Sequence, residues 1–303
     1  MSEETALTIQ RIMRQTTEAR LPDMMRNVAN NMHLILDGKC PSMLPKRPDT
    51  PVLVIGAGPS LEREKHLDLL AESNWKYPII STDRTLVPLL ERGIVPDLVG
   101  SVDGHPIISK FYDGELVDKY ADRLKAVLPI TIHPNTAKFK GEKYWYVPRM
   151  DDFDVDGWIS LTKSLQHMVW KSVLVTGGCA GTFCWNLGLY LHCNPLILIG
   201  MDLSYDTTDY KQTIYYNALL NYYKGDEKQV EQAIQKGYNP IYRRHYLIDP
   251  VFQTYHAFMM NYINQVDVTT VNCTEGGSVF GGKVLCSNFR EVLERYCPKK
   301  GEV

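Results

Sequence analysis

Residues 52–61 read Val-Leu-Val-Ile-Gly-Ala-Gly-Pro-Ser-Leu, an apolar strand that runs into a glycine turn and then the start of a helix. A strand without polar residues is buried on both faces, as in a parallel sheet covered by helices. Glycines in the turn allow positive φ and close backbone approach, and Ser60 is placed to cap the helix that follows. Exposed N–H groups and the helix dipole would then favour a phosphate, held by Gly56, Gly58, Pro59 and Ser60. The loop is not a Walker A sequence, because Gly-Lys-Ser/Thr is missing. It is not the dinucleotide fingerprint either, since Leu61 stands at the third glycine position. For a glycine pair alone, a tight structural turn is the better reading.

The same alternation continues. Strands are expected at Val52–Ile55, Ile79–Thr82, Leu98–Val102, Ala126–Ile132, Tyr144–Val147 and Leu196–Ile199, with helices at about 61–73, 85–92, 109–123 and 180–192. This pattern predicts an α/β fold, a mainly parallel sheet with helices on both faces. Such sheets bind ligands beyond the carboxyl ends of their strands, and the glycine and aspartate motifs fall at those ends.

Asp83, after the second strand, either accepts a hydrogen bond from a ligand hydroxyl or caps the next helix. Asp103, with Gly104 behind it, is the stronger carboxylate: it could bind a ribose, hold a metal or take up a proton, or it could form an Asx turn. His105 lies beside it and is a further catalytic candidate. Thr176-Gly177-Gly178 opens onto an apolar helix and makes a second anion cradle. Leu196-Ile197-Leu198-Ile199-Gly200-Met201-Asp202 is another strand ending in a carboxylate, which makes Asp202 a site candidate. Thr274 and Glu275, within Asn272-Cys273-Thr274-Glu275-Gly276-Gly277, either complete a site or make a hard corner. No serine shows the G-x-S-x-G pattern of a nucleophile elbow.

Three regions are expected along the 303 residues: a helical extension and linker at 1–50, a nucleotide-binding core at 51–204, and a tyrosine-rich helical region with a closing segment at 205–303. The N-terminal helix, residues 5–37, packs on the main domain or makes a homo-oligomer with a partner subunit. Tyr205, Tyr210, Tyr215, Tyr216, Tyr222 and Tyr223 read first as packing residues and second as a lid or acceptor surface. An amphipathic helix is expected from Pro250 to Asn264. A net charge of −2 argues against nucleic acid as partner, and no apolar run is long enough for a membrane span. The start lacks a secretory pattern, so the expected location is the cytoplasm. Seven cysteines with no C-x-x-C pair point to neither structural zinc nor a disulfide framework.

Gly56-Ala57-Gly58-Pro59-Ser60-Leu61, Gly93-Ile94-Val95-Pro96-Asp97 and Ile199-Gly200-Met201-Asp202-Leu203, in this order, resemble a domain shared by two groups. One is the archaeal MptE-type 6-hydroxymethyldihydropterin diphosphokinases; the other is the motility-associated-factor (Maf) glycosyltransferases. The resemblance covers roughly residues 25–295 and implies a Rossmann-like or glycosyltransferase-A-like sheet with a bound nucleotide or nucleotide-sugar. A diphosphokinase would use ATP and Mg²⁺, with a paired Asp-x-Asp-Gly at the third strand. Here that stretch is Ser101-Val102-Asp103-Gly104, so the first carboxylate is a serine. The segment around Thr274 looks like the Maf branch, where transfer from a CMP-linked nonulosonate needs no obligatory cofactor or metal. Only a short helical arm precedes the core, so flagellin does not follow as acceptor; a protein, a glycan or a small molecule all stay open. A nucleotide-binding protein without catalysis is the third reading.

Overall fold

The computed structural model of the chain describes residues 3–151 and 160–297, with side chains from residue 18 onward. Positions 298–303 of the expected C-terminal region lie outside the described residues. The strands are β1 (Val52–Ile55), β2 (Ile79–Thr82), β3 (Leu98–Gly100), β4 (Lys125–Pro129), β5 (Glu142–Pro148), β6 (Val173–Leu174), β7 (Leu196–Ile199), β8 (Gln235–Asn239), β9 (Arg244–Ile248), β10 (Thr270–Asn272) and β11 (Val284–Cys286). The helices are α1 (Glu3–Asp37), α2 (Ser60–Arg63), α3 (His66–Glu72), α4 (Leu86–Glu91), α5 (Glu115–Lys119), α6 (Pro134–Ala137), α7 (Leu161–Val169), α8 (Ala180–Tyr190), α9 (Tyr216–Tyr222), α10 (Glu227–Ala233), α11 (Pro250–Gln265) and α12 (Phe289–Tyr296). Among the described residues the fold is α/β, with mainly parallel strand pairing and helices around the strands.

The chain divides into two compact units, one of Thr16–Ile55 and Tyr77–Leu196, the other of Met1–Gln15, Gly56–Lys76 and Ile197–Val303. In the first, the strands run in the order β1-β2-β3-β4-β5-β6. Each neighbouring pair is parallel, with Leu53 opposite Ile79, Ile80 opposite Leu98, Val99 opposite Ala126, Val127 opposite Tyr144, and Val147 opposite Val173. All four residues of β1 are fully buried, as the apolar run predicts. Val28 and Ile35 of α1 enter the same core as Val99, Leu128 and Trp145, so the second half of the N-terminal helix packs on this domain. Fully burying a side chain such as Ile35 contributes roughly 1.5–3 kcal/mol.

Helix α8 sets the polarity of the first unit. Cys184 and Phe183, early in α8, lie against Gly100 at the end of β3, while Gly188 lies against Val52 and Leu196 at the strand starts. The helix therefore runs antiparallel to the strands, and its N-terminus opens at their carboxyl ends. In the second unit β10 and β11 pair in parallel, and β8 and β9 form an antiparallel hairpin. Tyr205, Leu219, Val230, Ile234 and Leu247 build a small core for the tyrosine-rich region. The N-terminus of α11 is capped by Asp249, whose carboxylate accepts from Phe252 N at 2.8 Å and also takes the Tyr205 hydroxyl.

Several expected elements are shorter than the periodicity suggests. The helix expected over 61–73 is two, because Lys65 between them takes a left-handed conformation with φ 54°. The helix expected over 109–123 gives way to a 3-10 turn at Pro106–Phe111, α5, and a second 3-10 turn at Ala121–Arg123. The break before α5 falls at Gly114, with φ 118°. Strand β3 ends at Gly100 rather than Val102, and β4 at Pro129 rather than Ile132, where Ile132 N turns back to the Pro129 carbonyl.

Candidate functional site

In the first unit the carboxyl ends of β2 and β3 carry a buried polar chain. The Tyr112 and Ser101 hydroxyls are 2.9 Å apart, and Ser101 Oγ donates to Asp83 Oδ2 at 2.6 Å. Asp83 Oδ1 accepts from the Arg84 N–H at 2.7 Å, and Tyr146 donates its hydroxyl to the Ser101 carbonyl at 2.8 Å. Burial pushes the Asp83 carboxyl up to about 6, with the Asp103 charge adding to the rise and the Ser101 hydrogen bond opposing it. Asp83 is thus turned inward, 5% exposed, and bonded to protein groups. Ser101, fully buried, fills the position where the resemblance to diphosphokinases would place a carboxylate.

Asp103 is different. Its side chain is 38% exposed; Oδ1 accepts from His105 N at 2.9 Å, closing an Asx turn, and Arg20 Nη1 lies 3.4 Å from Oδ2. The backbone beneath is clamped from α1: Asn27 Nδ2 donates to the carbonyls of Gly104 at 3.1 Å and Thr131 at 3.0 Å. His105 Nδ1 accepts from Ile107 N at 3.2 Å. In a neutral imidazole the proton then sits on Nε2, so the ring presents a donor; this tautomer does not fit His105 as a base.

Gly177 and Gly178, at φ 69° and 95°, lead into Cys179, whose thiol accepts from the Thr182 N–H at the start of α8. Sulfur is a weak acceptor, so an anionic oxygen arriving at this helix start would be the stronger partner for its amides.

In the second unit the glycine loop meets the turn after β7. Gly56 N donates to Ile199 O and Gly58 N to Gly200 O, both at 2.9 Å. Neither glycine has positive φ; close approach is what demands them. A Cβ on Gly58 would lie 1.9 Å from Asp202 Oδ2, and one on Gly56 would lie 2.3 Å from the Gly200 carbonyl oxygen. Ser60 does not cap the following helix as expected: it lies inside α2, and its hydroxyl donates to Asp202 Oδ2 at 2.7 Å. Burial raises the Asp202 carboxyl to about 6, opposed by Ser60 and the nearby Arg63 charge. Arg63 in turn reaches Glu64, Asp206 and the Glu275 carbonyl, and Arg244 reaches the same Glu64 at 2.7 Å. A small pocket here is lined by Arg63, Asp202, Tyr205, Arg244 and His245.

Thr274 and Glu275 are spent on the fold. Thr274 Oγ1 accepts from Met201 N at 3.1 Å, and Glu275 Oε1 accepts from Phe289 N at 3.0 Å, with His66 Nε2 at 3.4 Å. These bonds and the φ of 58° at Glu275 describe a structural corner. Arg20, Asn27, Arg63 and Tyr112 escaped the reading of the sequence. Only Asn27 left a signal there, as one of two asparagines among the apolar positions of α1.

Polar groups gathered at the carboxyl ends of parallel strands define an α/β protein of the Rossmann-like class. A sequence model of the family described as 6-hydroxymethylpterin diphosphokinase MptE-like matches residues 23–208, and the chain belongs to that family. Among curated proteins it is similar to the 6-hydroxymethyl-7,8-dihydropterin pyrophosphokinase of Methanocaldococcus jannaschii, 28% identical over 195 residues, which are 62% of this chain and 72% of that protein. Among solved structures it is similar in fold to the Maf glycosyltransferase of Magnetospirillum magneticum AMB-1, with a TM-score of 0.59 and 15% identity. That likeness covers 88% of this chain but 38% of the glycosyltransferase, so the chain spans well under half of that protein. The family and the curated relative point to a transferase.

Proposed function

We propose that the chain is a transferase using a nucleotide-activated donor, with sugar transfer of the Maf kind from a CMP-linked nonulosonate favoured over pyrophosphoryl transfer. Ser101 carries this preference. Its hydroxyl is buried and bonded to Asp83, which leaves Asp103 as the one half-exposed carboxylate at the end of β3. A diphosphokinase needs Mg²⁺, which is held by one or two carboxylates together with the substrate phosphates, and here Ser101 stands in place of the first carboxylate of the pair. A cytidine phosphate leaves without a metal, given donors for its developing charge.

In this reading Asp103 accepts hydrogen bonds from donor hydroxyls, and the Gly177–Gly178 turn with the first amides of α8 meets the departing phosphate. His105 adds a donor through Nε2–H. Asp202 acts on the Gly56–Ser60 loop through Ser60 and is a positioning residue. Free thiols throughout the seven cysteines suit a cytoplasmic setting. The pyrophosphokinase name of the curated relative supports the second reading, pterin diphosphokinase with ATP and Mg²⁺.

A thermal-shift panel of CMP, CDP, UDP, GDP and ATP, each with and without Mg²⁺, separates them, because a ligand of the folded state raises its stability by mass action. Stabilisation by CMP without metal is the expected result. Stabilisation by ATP only with Mg²⁺ would sink it in favour of the diphosphokinase.

A further inference from the structure

We infer that Arg20 is the cation that balances Asp103 where a diphosphokinase would use a divalent metal, which makes the N-terminal helix a working wall of the site. This rests on the reading above in which Asp103 faces the donor. Arg20 Nη1 lies 3.4 and 3.5 Å from the two Asp103 oxygens, and both side chains keep substantial exposure. Arginine has five donors in a planar fork and no acceptor, so it can hold a carboxylate and still offer N–H groups to an anionic ligand.

The helix that carries Arg20 is fixed in place by two buried asparagines. Asn27 bridges the Gly104 and Thr131 carbonyls, and Asn31 Nδ2 donates to Ile132 O at 2.8 Å. At about 100° per residue, positions 20, 27 and 31 share one face of α1. Asparagine is a poor helix former, and here both amides serve carbonyls outside the helix. The turn they clamp has no slack: a Cβ on Gly104 would lie 2.3 Å from Thr131 O. Asp103 is thereby held opposite Arg20. Position 20 also precedes residues 23–208, the part that matches the family, so this cation comes from outside the matched region.

An exposed pair of this kind adds little to stability, so the use assigned to it is one in binding and is read there. Calorimetric titration of CMP into the wild type, Arg20→Lys and Arg20→Ala, each in EDTA and in Mg²⁺, reads that use. The wild type should bind alike in both. Arg20→Ala should bind roughly tenfold more weakly in EDTA, the loss of one charge-assisted contact, with part restored by Mg²⁺ and most restored in Arg20→Lys. Equal affinity of Arg20→Ala and wild type would overturn the assignment. Without nucleotide, hydrogen exchange at the His105 amide, which donates to Asp103, should quicken several-fold in Arg20→Ala at unchanged Tm; unchanged exchange would also overturn it. If the wild type binds no nucleotide without metal, the functional reading fails, and the exchange result alone decides for or against Arg20.

Discussion

Ser60 and Asp202, 142 residues apart in sequence, are joined by a 2.7 Å hydrogen bond from the serine hydroxyl to Oδ2 of the buried carboxylate. The same oxygen stands where a side chain on Gly58 would begin. The glycine loop and the Ile-Gly-Met-Asp strand end are therefore one structural device: the aspartate orients the serine, and the glycine makes room for the aspartate. A glycine pair that reads as a generic phosphate loop is explained here first by its neighbour.

Gly58→Ala should destabilise the protein by about 1–3 kcal/mol, because the new methyl meets both the Asp202 carboxylate and the Gly200 carbonyl and the backbone must shift. Urea denaturation checks this. A midpoint equal to wild type would show that the loop gives way freely.

Asp83 and Asp202 both titrate near 6 in the folded chain, above the ordinary 3.8, chiefly through burial. Between these values the folded chain holds protons that the unfolded chain has released. Their contribution to stability therefore rises as pH falls through about 6, is complete near the ordinary value, and is absent at neutral pH. Each is worth on the order of 3 kcal/mol across that window. Relative to Asp83→Asn or Asp202→Asn, the wild type should gain stability from pH 7 to pH 5. Parallel profiles of thermal stability against pH would contradict this.

Ser101→Ala removes the hydroxyl between Tyr112 and Asp83 and should cost about 1–3 kcal/mol, the penalty for a buried group left without its partner. Ser101→Asp, which restores the Asp-x-Asp spelling, should cost more, since it sets a second carboxylate against Asp83 inside the fold. Chemical denaturation of both variants tests the order. A Ser101→Asp protein as stable as wild type, and further stabilised by Mg²⁺, would mean that the pocket tolerates a metal pair.

Much of the fold was legible in the sequence because its inner strands are continuous apolar runs. Val52–Ile55, Ile79–Thr82 and Leu196–Ile199 stand in the structure as the pattern predicts, and α11 differs from its expected span by one residue. The β8–β9 hairpin was not legible: Gln235–Asn239 is largely exposed and carries no alternation. Helix breaks at Lys65 and Gly114 depend on single backbone conformations that periodicity does not register. At the site, the positions of Asp83, Asp103 and Asp202 at strand ends could be read, but their partners could not. Ser60 reads as a cap until Asp202 is beside it, and Asp103 reads as a ligand carboxylate or a turn former until Arg20 arrives from 83 residues away.

Release of CMP from a CMP-linked nonulosonate in the presence of EDTA, by the wild type and by Asp103→Asn, tests the central claim most directly. The wild type should release CMP at a rate that Mg²⁺ does not change, and Asp103→Asn should be slower by about tenfold or more at nearly unchanged Tm. No CMP release, together with Mg²⁺-dependent conversion of ATP to AMP when 6-hydroxymethyl-7,8-dihydropterin is supplied, would contradict it.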